Sequence, residues 1–257
     1  MSGRVPATRF LTAAATDPGN TRSENEDAFL ASPEKGVWAV ADGMGGHHGG
    51  QWASRLVVEA LDRIDPATSA AELLRRCEES VHAANRSLAQ YAETQGHVIG
   101  TTLAMLLIFD RNYICLWAGD SRIYLVRDGT LRQLSCDHTE AQELVAQGVL
   151  SSEEARTWPR RNVITRAIGI APEPELESAH GLLQTRDIFL LCSDGLTSHV
   201  TDAEILQLLR QSAPQQACES LVALTLDRGG ADNVTVVVTR FEEDGTRIAL
   251  PLSSAPR

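Results

Sequence analysis

Val37-Trp38-Ala39-Val40-Ala41-Asp42-Gly43-Met44-Gly45-Gly46-His47 is the stretch on which the reading of this chain turns. Five uncharged residues, rich in Val and Trp, run into an aspartate, and a glycine-dense turn follows. The pattern predicts a buried strand that stops at a carboxylate. The glycines let the backbone fold tightly beside Asp42 and open main-chain atoms to a ligand or ion. The same design returns in Ile188-Phe189-Leu190-Leu191-Cys192-Ser193-Asp194-Gly195. A reversed version, Gly229-Gly230-Ala231-Asp232-Asn233, stands just before the apolar run Val234 to Val238. Three aspartates therefore sit at the ends of three strand-like runs, and the rest of the chain is expected to bring them together.

Working outward, Phe10 to Ala15 predicts a first strand, and Asp17-Pro18-Gly19-Asn20 a turn after it. A charged stretch, Arg22 to Asp27, leads into the short strand Ala28-Phe29-Leu30. Ser32 to Gly36 forms the hairpin connection to the run ending at Asp42. Ala53, Leu56, Val57, Ala60, Leu61 and Ile64 mark one face of a helix that Pro66 closes. A second helix spans Ala70 to Gln95. Strands are then expected over Thr102–Phe109, Tyr113–Ala118 and Arg122–Val126, with Asp128-Gly129 turning the chain into Thr130–Leu134. Residues 137–176 are polar, with little sustained period, and predict a helical excursion or flap. The strand Ile188–Cys192, two helices over Ala203–Ser212 and Gln215–Arg228 with Gly229 as cap, and the strand Val234–Phe241 complete the chain. Meandering strands and paired helices indicate an α+β fold, not a parallel βαβ sheet. The first half supplies Asp42 and the second Asp194 and Asp232, so one domain is the simpler organisation.

With 43% hydrophobic and 22% charged residues, the 257-residue chain has the composition of an ordinary globular protein with material for a core. Its formal net charge of −11 argues against nucleic-acid binding, which needs a basic footprint. No apolar run approaches the length of a membrane span, and no signal-peptide pattern opens the chain, so a cytoplasmic, membrane-free protein is expected. The cysteines at 77, 115, 136, 192 and 218 are scattered, with no C-x-x-C pair, and are expected as reduced core residues.

The acids beside strand ends or glycine turns are Glu26, Asp27, Asp42, Asp120, Asp194 and Asp232. Hard divalent cations take several oxygen ligands, and neither histidine nor thiolate stands at these spots to favour zinc. Like charges gathered in one site oppose ionisation, so Mg²⁺ or Mn²⁺, two ions or more, is the expected counterpart. Two such ions can activate a water and hold the oxygens of a phosphoryl group in line. Taken singly, Asp42-Gly43 is explained as a turn, Asp120 as a local partner of Arg122, and Asp194 as a helix cap. Taken jointly, independent turns do not account for so many aspartates at the ends of buried runs. Arg22 offers a bidentate fork for phosphate, or else pairs with Glu24 or Glu26. His47, ahead of His48, is the candidate general acid, or else a solvated loop residue.

With these residues in place, the chain resembles the metal-dependent protein phosphatases, the type 2C serine/threonine class, in its short bacterial form. The matching pieces run in family order: Arg22…Asn25-Glu26-Asp27-Ala28, Asp42-Gly43-Met44-Gly45-Gly46-His47, Gly100-Thr101-Thr102, Gly119-Asp120-Ser121-Arg122-Ile123-Tyr124, Asp137-His138-Thr139, Ser193-Asp194-Gly195-Leu196 and Asp232-Asn233-Val234-Thr235. The resemblance implies a four-layer α-β-β-α sandwich, two stacked antiparallel sheets flanked by antiparallel helix pairs. It implies one catalytic domain over residues 1–245, a flap at about 138–165, and a C-terminal tail over 246–257.

For the site, the resemblance implies that Asp42 bridges two catalytic metals and that the carbonyl of Gly43 binds the second. It places Asp194 and Asp232 on the first metal and Glu26 on the second, directly or through water. Asp27 holds metal-bound water, Asp120 with Asp194 forms a third-metal site, and Arg22 binds phosphate. Met44 stands where many eukaryotic members have a histidine, which leaves His47 as the candidate acid. The implied activity is Mg²⁺- or Mn²⁺-dependent hydrolysis of phosphoserine and phosphothreonine by direct attack of a metal-bridging hydroxide, without a phosphoenzyme. The implied partners are phosphorylated proteins and a cognate bacterial serine/threonine kinase, in type VI secretion control, which is favoured, or cell-wall signalling, with the enzyme a monomer. Rival readings are a catalytically inactive binding module, which should have lost ligands, and a small-phosphoester hydrolase using the same centre.

Overall fold

A computed structural model describes residues 8–45 and 48–243. The candidate acid His47 and the expected tail 246–257 lie outside the described residues. In chain order the elements are β1 (Thr8–Asp17), β2 (Asp27–Ser32), β3 (Val37–Met44), α1 (Gly49–Asp62), α2 (Ala70–Gln95), β4 (Gly100–Thr101), β5 (Leu103–Phe109) and β6 (Asn112–Ala118). They continue with β7 (Arg122–Arg127), β8 (Thr130–Gln133), α3 (Glu140–Ala146), α4 (Ser152–Thr157), β9 (Glu177–Leu182), β10 (Ile188–Cys192), α5 (Asp194–Thr197), α6 (Asp202–Gln211), α7 (Pro214–Asp227) and β11 (Val234–Glu243).

Two antiparallel sheets result. One has the order β1-β11-β10-β7-β8, the other β2-β3-β5-β6-β9 with β4 added to β3. Three apolar clusters hold four layers together. Helices α1 and α2 bury Val57, Leu61, Leu73, Val81 and Leu88 against the second sheet. Helices α6 and α7 bury Ile205, Leu209, Cys218 and Leu221 against the first. Between the sheets, Trp38, Leu106, Trp117, Phe189, Val237 and Phe241 interdigitate. Central strands buried on both faces explain why Val37–Ala41 and Ile188–Cys192 read as continuous apolar runs without alternation. The α+β sandwich is thus as expected, and among the described residues no helix is long and apolar enough to cross a membrane.

Register sets where the strand ends fall. Asp27 pairs with Asp42 across β2 and β3, Leu103 with Ala118 across β5 and β6, and Cys192 with both Arg122 and Val236. The loops carrying Glu26, residues 119–121, Ser193-Asp194 and Asp232-Asn233 consequently open at one end of the sandwich.

Four expectations need correction. β3 does not stop at Asp42 but continues to Met44, because Gly43 and Met44 pair with Thr101 and Gly100 of β4. The edge strand β9 is absent from the expected elements. Its sequence, Glu-Ser-Ala-His-Gly-Leu, carries little β propensity, and it is held by pairing with β6. Cys136 is exposed while the other four cysteines are buried. Gly43 does not open its main chain to a ligand on its α-carbon side, since a Cβ there would collide with the carbonyl of Gly50 and lie 2.8 Å from that of Glu26. The glycine is needed because the start of α1 packs onto it.

Candidate active site

Asp27 and Asp42 are directly opposed on one face of the β2–β3 pair, so their carboxylates are held side by side despite their charge. Asp27 is buried. Its Oδ2 accepts a 2.8 Å hydrogen bond from Ser193 Oγ, which in turn accepts the Thr235 N–H at 3.0 Å. This three-residue link joins the two sheets. Its Oδ1 has no partner. Burial pushes the Asp27 carboxyl up to about 7, with Asp194 and Asp232 adding to the rise and the Thr235 and Ser193 bonds opposing it.

Asp42 is anchored through its backbone. Its N–H donates to Thr102 Oγ1 at 2.9 Å, and its carbonyl accepts from the Thr102 N–H at 2.8 Å and from Thr101 Oγ1 at 2.9 Å. Thr102 Oγ1 also shares a 2.7 Å hydrogen bond with Ser121, the neighbour of Asp120. The Asp42 carboxyl lies well above the usual carboxylate range, first through burial and then through the charges of Asp27, Asp194, Asp120 and Asp232. Geometry brings these acids together through their neighbours: Asp27 faces Asp42 across β2 and β3, Ser193 next to Asp194 bonds Asp27, and Thr102 links Asp42 to the neighbour of Asp120.

Asp194 opens the short helix α5, with Ser193 rather than itself in the capping position. It is pushed up to about 6, by burial and then by Asp232, against Arg122 and Arg22. Asp120 is 7% exposed with its Oδ1 unpartnered. It rises to about 8 through burial and the nearby Asp194. Glu26 is half-buried and raised by burial, with Arg22 opposing. Its main chain is fixed by the Glu26 N–H to Asn233 Oδ1 bond at 2.8 Å and by its carbonyl, which accepts from Gly43 N and Ser54 Oγ.

Arg22 is drawn in from the other side of the sequence. Its partner is neither Glu24 nor Glu26 but Asp232, at 2.9 Å, with both side chains about half exposed. Only one terminal nitrogen is engaged there, which leaves the other face of the fork available. His48 instead pairs with Glu24 at 2.8 Å.

Sequence reasoning assigned no role to Asn233, which organises the acidic loops. Besides holding Glu26, it donates to the carbonyls of Pro18 and Glu24 at 2.9 and 2.8 Å. An Asn next to an Asp before a strand carries no signal of contacts more than 200 residues away. Nor was Ser193 recognised, although a serine beside a buried acid is a plain hydrogen-bond donor. Beside Asp120 and Asp194 a polar cleft of about 490 Å³ opens toward α3 and α4, lined also by Arg122, Arg156, Arg161 and Asn162.

The donor set fits hard divalent cations. It is all oxygen, two buried carboxylate oxygens lack any partner, and four aspartates are raised by burial and by one another. Among the described residues no three acid, imidazole or thiolate side chains form a closed chelating group by themselves. Ions of this kind complete such a set with main-chain carbonyls and water.

A family model described as protein phosphatase 2C matches residues 20–230. The chain belongs to the protein phosphatase 2C family. It is 40% identical over 229 residues to the serine/threonine protein phosphatase PstP of Mycobacterium tuberculosis, covering 88% of this chain and 44% of that protein. The chain thus spans less than half the length of that relative. PppA, described as a key regulatory component of the type VI secretion system in Pseudomonas aeruginosa, superposes with a TM-score of 0.85 at 39% identity, over 91% of this chain and all of that one. The catalytic domain of PstP in complex with two manganese ions superposes with a TM-score of 0.83 at 36% identity, over 92% of this chain and all of that one. This phosphatase 2C chain therefore shares both its sandwich and its sequence with proteins of that family over nearly its whole described length.

Proposed function

We propose that the chain is a serine/threonine phosphoprotein phosphatase dependent on Mn²⁺ or Mg²⁺. The observation that carries this reading is the Asp27–Asp42 pair facing across β2 and β3, tied through Ser193 and Thr102 to the loops of Asp194 and Asp120, with Asp27 Oδ1 and Asp120 Oδ1 buried and unpartnered. Asp42 would bridge two ions, with Asp194 and Asp232 on one and Glu26 and the Gly43 carbonyl on the other. Asp120 with Asp194 would take a third. The bound cations supply acidity to a water and positive charge to phosphoryl oxygens.

The chain's own groups do the rest. Arg22, tethered by one nitrogen to Asp232, presents its remaining donors to the phosphate. Asp27 orients water through Oδ1, the oxygen that Ser193 leaves free. The phosphorus–oxygen bond to the seryl or threonyl side chain breaks, and that oxygen takes a proton, for which His47 is the candidate donor. Water, not a protein nucleophile, is the attacking group. Cys192, the cysteine next to the Ser193-Asp194 loop, is fully buried and pushed up to about 12. Residues 1–245 form one catalytic domain, 138–165 its flap and 246–257 a tail. The substrates are proteins phosphorylated by a cognate serine/threonine kinase, and the likeness to PppA favours type VI secretion control.

The test is hydrolysis of a phosphothreonine peptide with Mn²⁺, with EDTA, and by Asp194→Asn. Turnover that requires the metal and falls at least about 10²-fold in the variant supports the reading. A folded, metal-loaded protein without turnover would sink it.

A further inference from the structure

The excursion between β8 and β9 leaves and re-enters the fold at one buried side chain, His138, which is 5% exposed. Its backbone N–H donates to the Gly119 carbonyl at 2.9 Å, and its Nδ1 accepts the Gly119 N–H at 3.2 Å. Both main-chain groups of Gly119 are therefore held by one residue. Because Nδ1 is the acceptor, the ring proton sits on Nε2. That edge approaches Glu177 Oε1 at 3.4 Å without hydrogen-bond geometry, and Glu177 also receives Arg166 at 2.8 Å. The ring stacks on Trp117, with centroids 6.3 Å apart and planes 23° from parallel.

The other contacts of this region run in two directions. The His138 carbonyl accepts the Thr165 N–H at 2.9 Å, and Thr139 bridges Ile164, so the two ends of the excursion are clamped together here. Gly119, at φ +103°, packs against Thr102, where a Cβ would come within 2.6 Å of Cγ2. Thr102 in turn holds the Asp42 N–H. Asp120 follows Gly119 directly, and its Oδ1 is buried and unpartnered.

We propose that His138 is a positioning residue: by clasping Gly119 it fixes the direction of the Asp120 carboxylate and couples it to the base of the 138–165 excursion. The proposal rests on the metal-dependent phosphatase reading. His138 touches neither substrate nor metal; it acts through Gly119. A side chain that preserves the acceptor at the Nδ1 position should preserve the effect, and one that preserves only the Nε2 end should not.

The test compares His138→Asn, whose Oδ1 replaces Nδ1, with His138→Gln, whose amide reaches toward Nε2, and with His138→Phe, which keeps only the ring. The readouts are a calorimetric Mn²⁺ titration of each protein, the Mn²⁺ concentration giving half-maximal peptide hydrolysis, and Tm. Loss of a support for a ligand weakens metal binding about 10–100-fold, so H138F and H138Q should need at least about tenfold more Mn²⁺, with H138N within about threefold of wild type. Equal Mn²⁺ isotherms in all variants, with only Tm lowered, would overturn the proposal. So would H138N and H138Q behaving alike, a comparison that still decides if H138F does not fold. A wild type that binds Mn²⁺ but does not hydrolyse peptide refutes the phosphatase reading alone, and the titrations still decide the role of His138.

Discussion

Ser193→Ala removes one oxygen atom from the junction of the two sheets. Ser193 is fully buried, and its Oγ donates to Asp27 Oδ2 at 2.8 Å while accepting the Thr235 N–H at 3.0 Å. Without it the Asp27 carboxylate, whose Oδ1 already lacks a partner, loses its Ser193 donor, and the buried Thr235 amide loses its acceptor. A bond to a charged group contributes about 1.5–3 kcal/mol and an orphaned buried amide costs about 1–3 kcal/mol, so the loss should be about 2.5–6 kcal/mol. For a chain of this size that lowers Tm by roughly 5–24 °C.

The loss should also depend on pH. The Thr235 and Ser193 bonds hold the Asp27 carboxyl down against burial, which leaves it at about 7. In the variant it rises further, so the native state keeps a proton that the unfolded chain has released. The deficit should therefore grow between pH 6 and pH 8 by about 1.4 kcal/mol for each unit of added rise. Urea unfolding in EDTA at both pH values, for S193A, Asp27→Asn and the double variant, checks it. A deficit under about 0.5 kcal/mol at both pH values, or one that Asp27→Asn leaves unchanged, would refute the reasoning.

Metal removal should expose the acids as a liability. Asp194, Asp27 and Asp120 stand at about 6, 7 and 8 in the folded protein, against about 3.9 when unfolded, so the native state binds the extra protons. Metal-free stability should thus be greatest near pH 4 and fall toward pH 8 by about 1.4 kcal/mol per pH unit for each proton retained, with saturating Mn²⁺ flattening the curve. Thermal scans with and without EDTA read this directly, and a flat metal-free curve contradicts it. Gly43→Ala drives a methyl group into the Gly50 carbonyl; it should cost about 1–3 kcal/mol or more by overpacking and abolish peptide hydrolysis, both seen by circular dichroism melts and turnover. Arg22→Lys keeps the charge but loses the planar fork, so KM for a phosphopeptide should rise about tenfold, while the exposed Asp232 pair makes the stability change less than about 1 kcal/mol, as steady-state kinetics and unfolding will show.

What could be read from the chain was what strand physics makes local. Asp42, Asp194 and Asp232 were legible because each ends a run apolar on both faces, where a solvated acid has no reason to sit. The helix over Ala70–Gln95 was legible because Leu73, Cys77, Val81, Ala84 and Leu88 recur at helical spacing and Gly96, at φ +70°, ends it. Contacts that topology creates were not. Arg22 meets Asp232 across 210 residues, and nearer acids competed for it on paper. β9 is a strand because β6 offers it an edge, not because its residues prefer one. Gly43 was recognised as necessary for a different reason than the packing of α1 against it, since sequence shows that a Cβ is missing but not which atom occupies its place.

The charges within the fold explain why this site should call for ions from outside. Asp27, Asp42, Asp120 and Asp194 are raised by burial and by one another, and among the described residues none of the four is paired in a salt bridge. Among the described residues, the guanidinium hydrogen-bonded to the cluster is Arg22, and it meets the more exposed Asp232. Arg122, the partly buried guanidinium nearby, is already spanned by Asp137 through three contacts of 2.6–3.1 Å and donates to Tyr124 as well. The protein thus holds one carboxylate oxygen of Asp27 through Ser193 and fixes the main chain of Asp42 and Glu26 through Thr101, Thr102 and Asn233, and keeps its own cations occupied or at the rim. A salt bridge to any one acid would have stabilised the fold more simply. Placing them together without one is stable near neutral pH only if protons or hard cations bind there, and only the cations give the site a use.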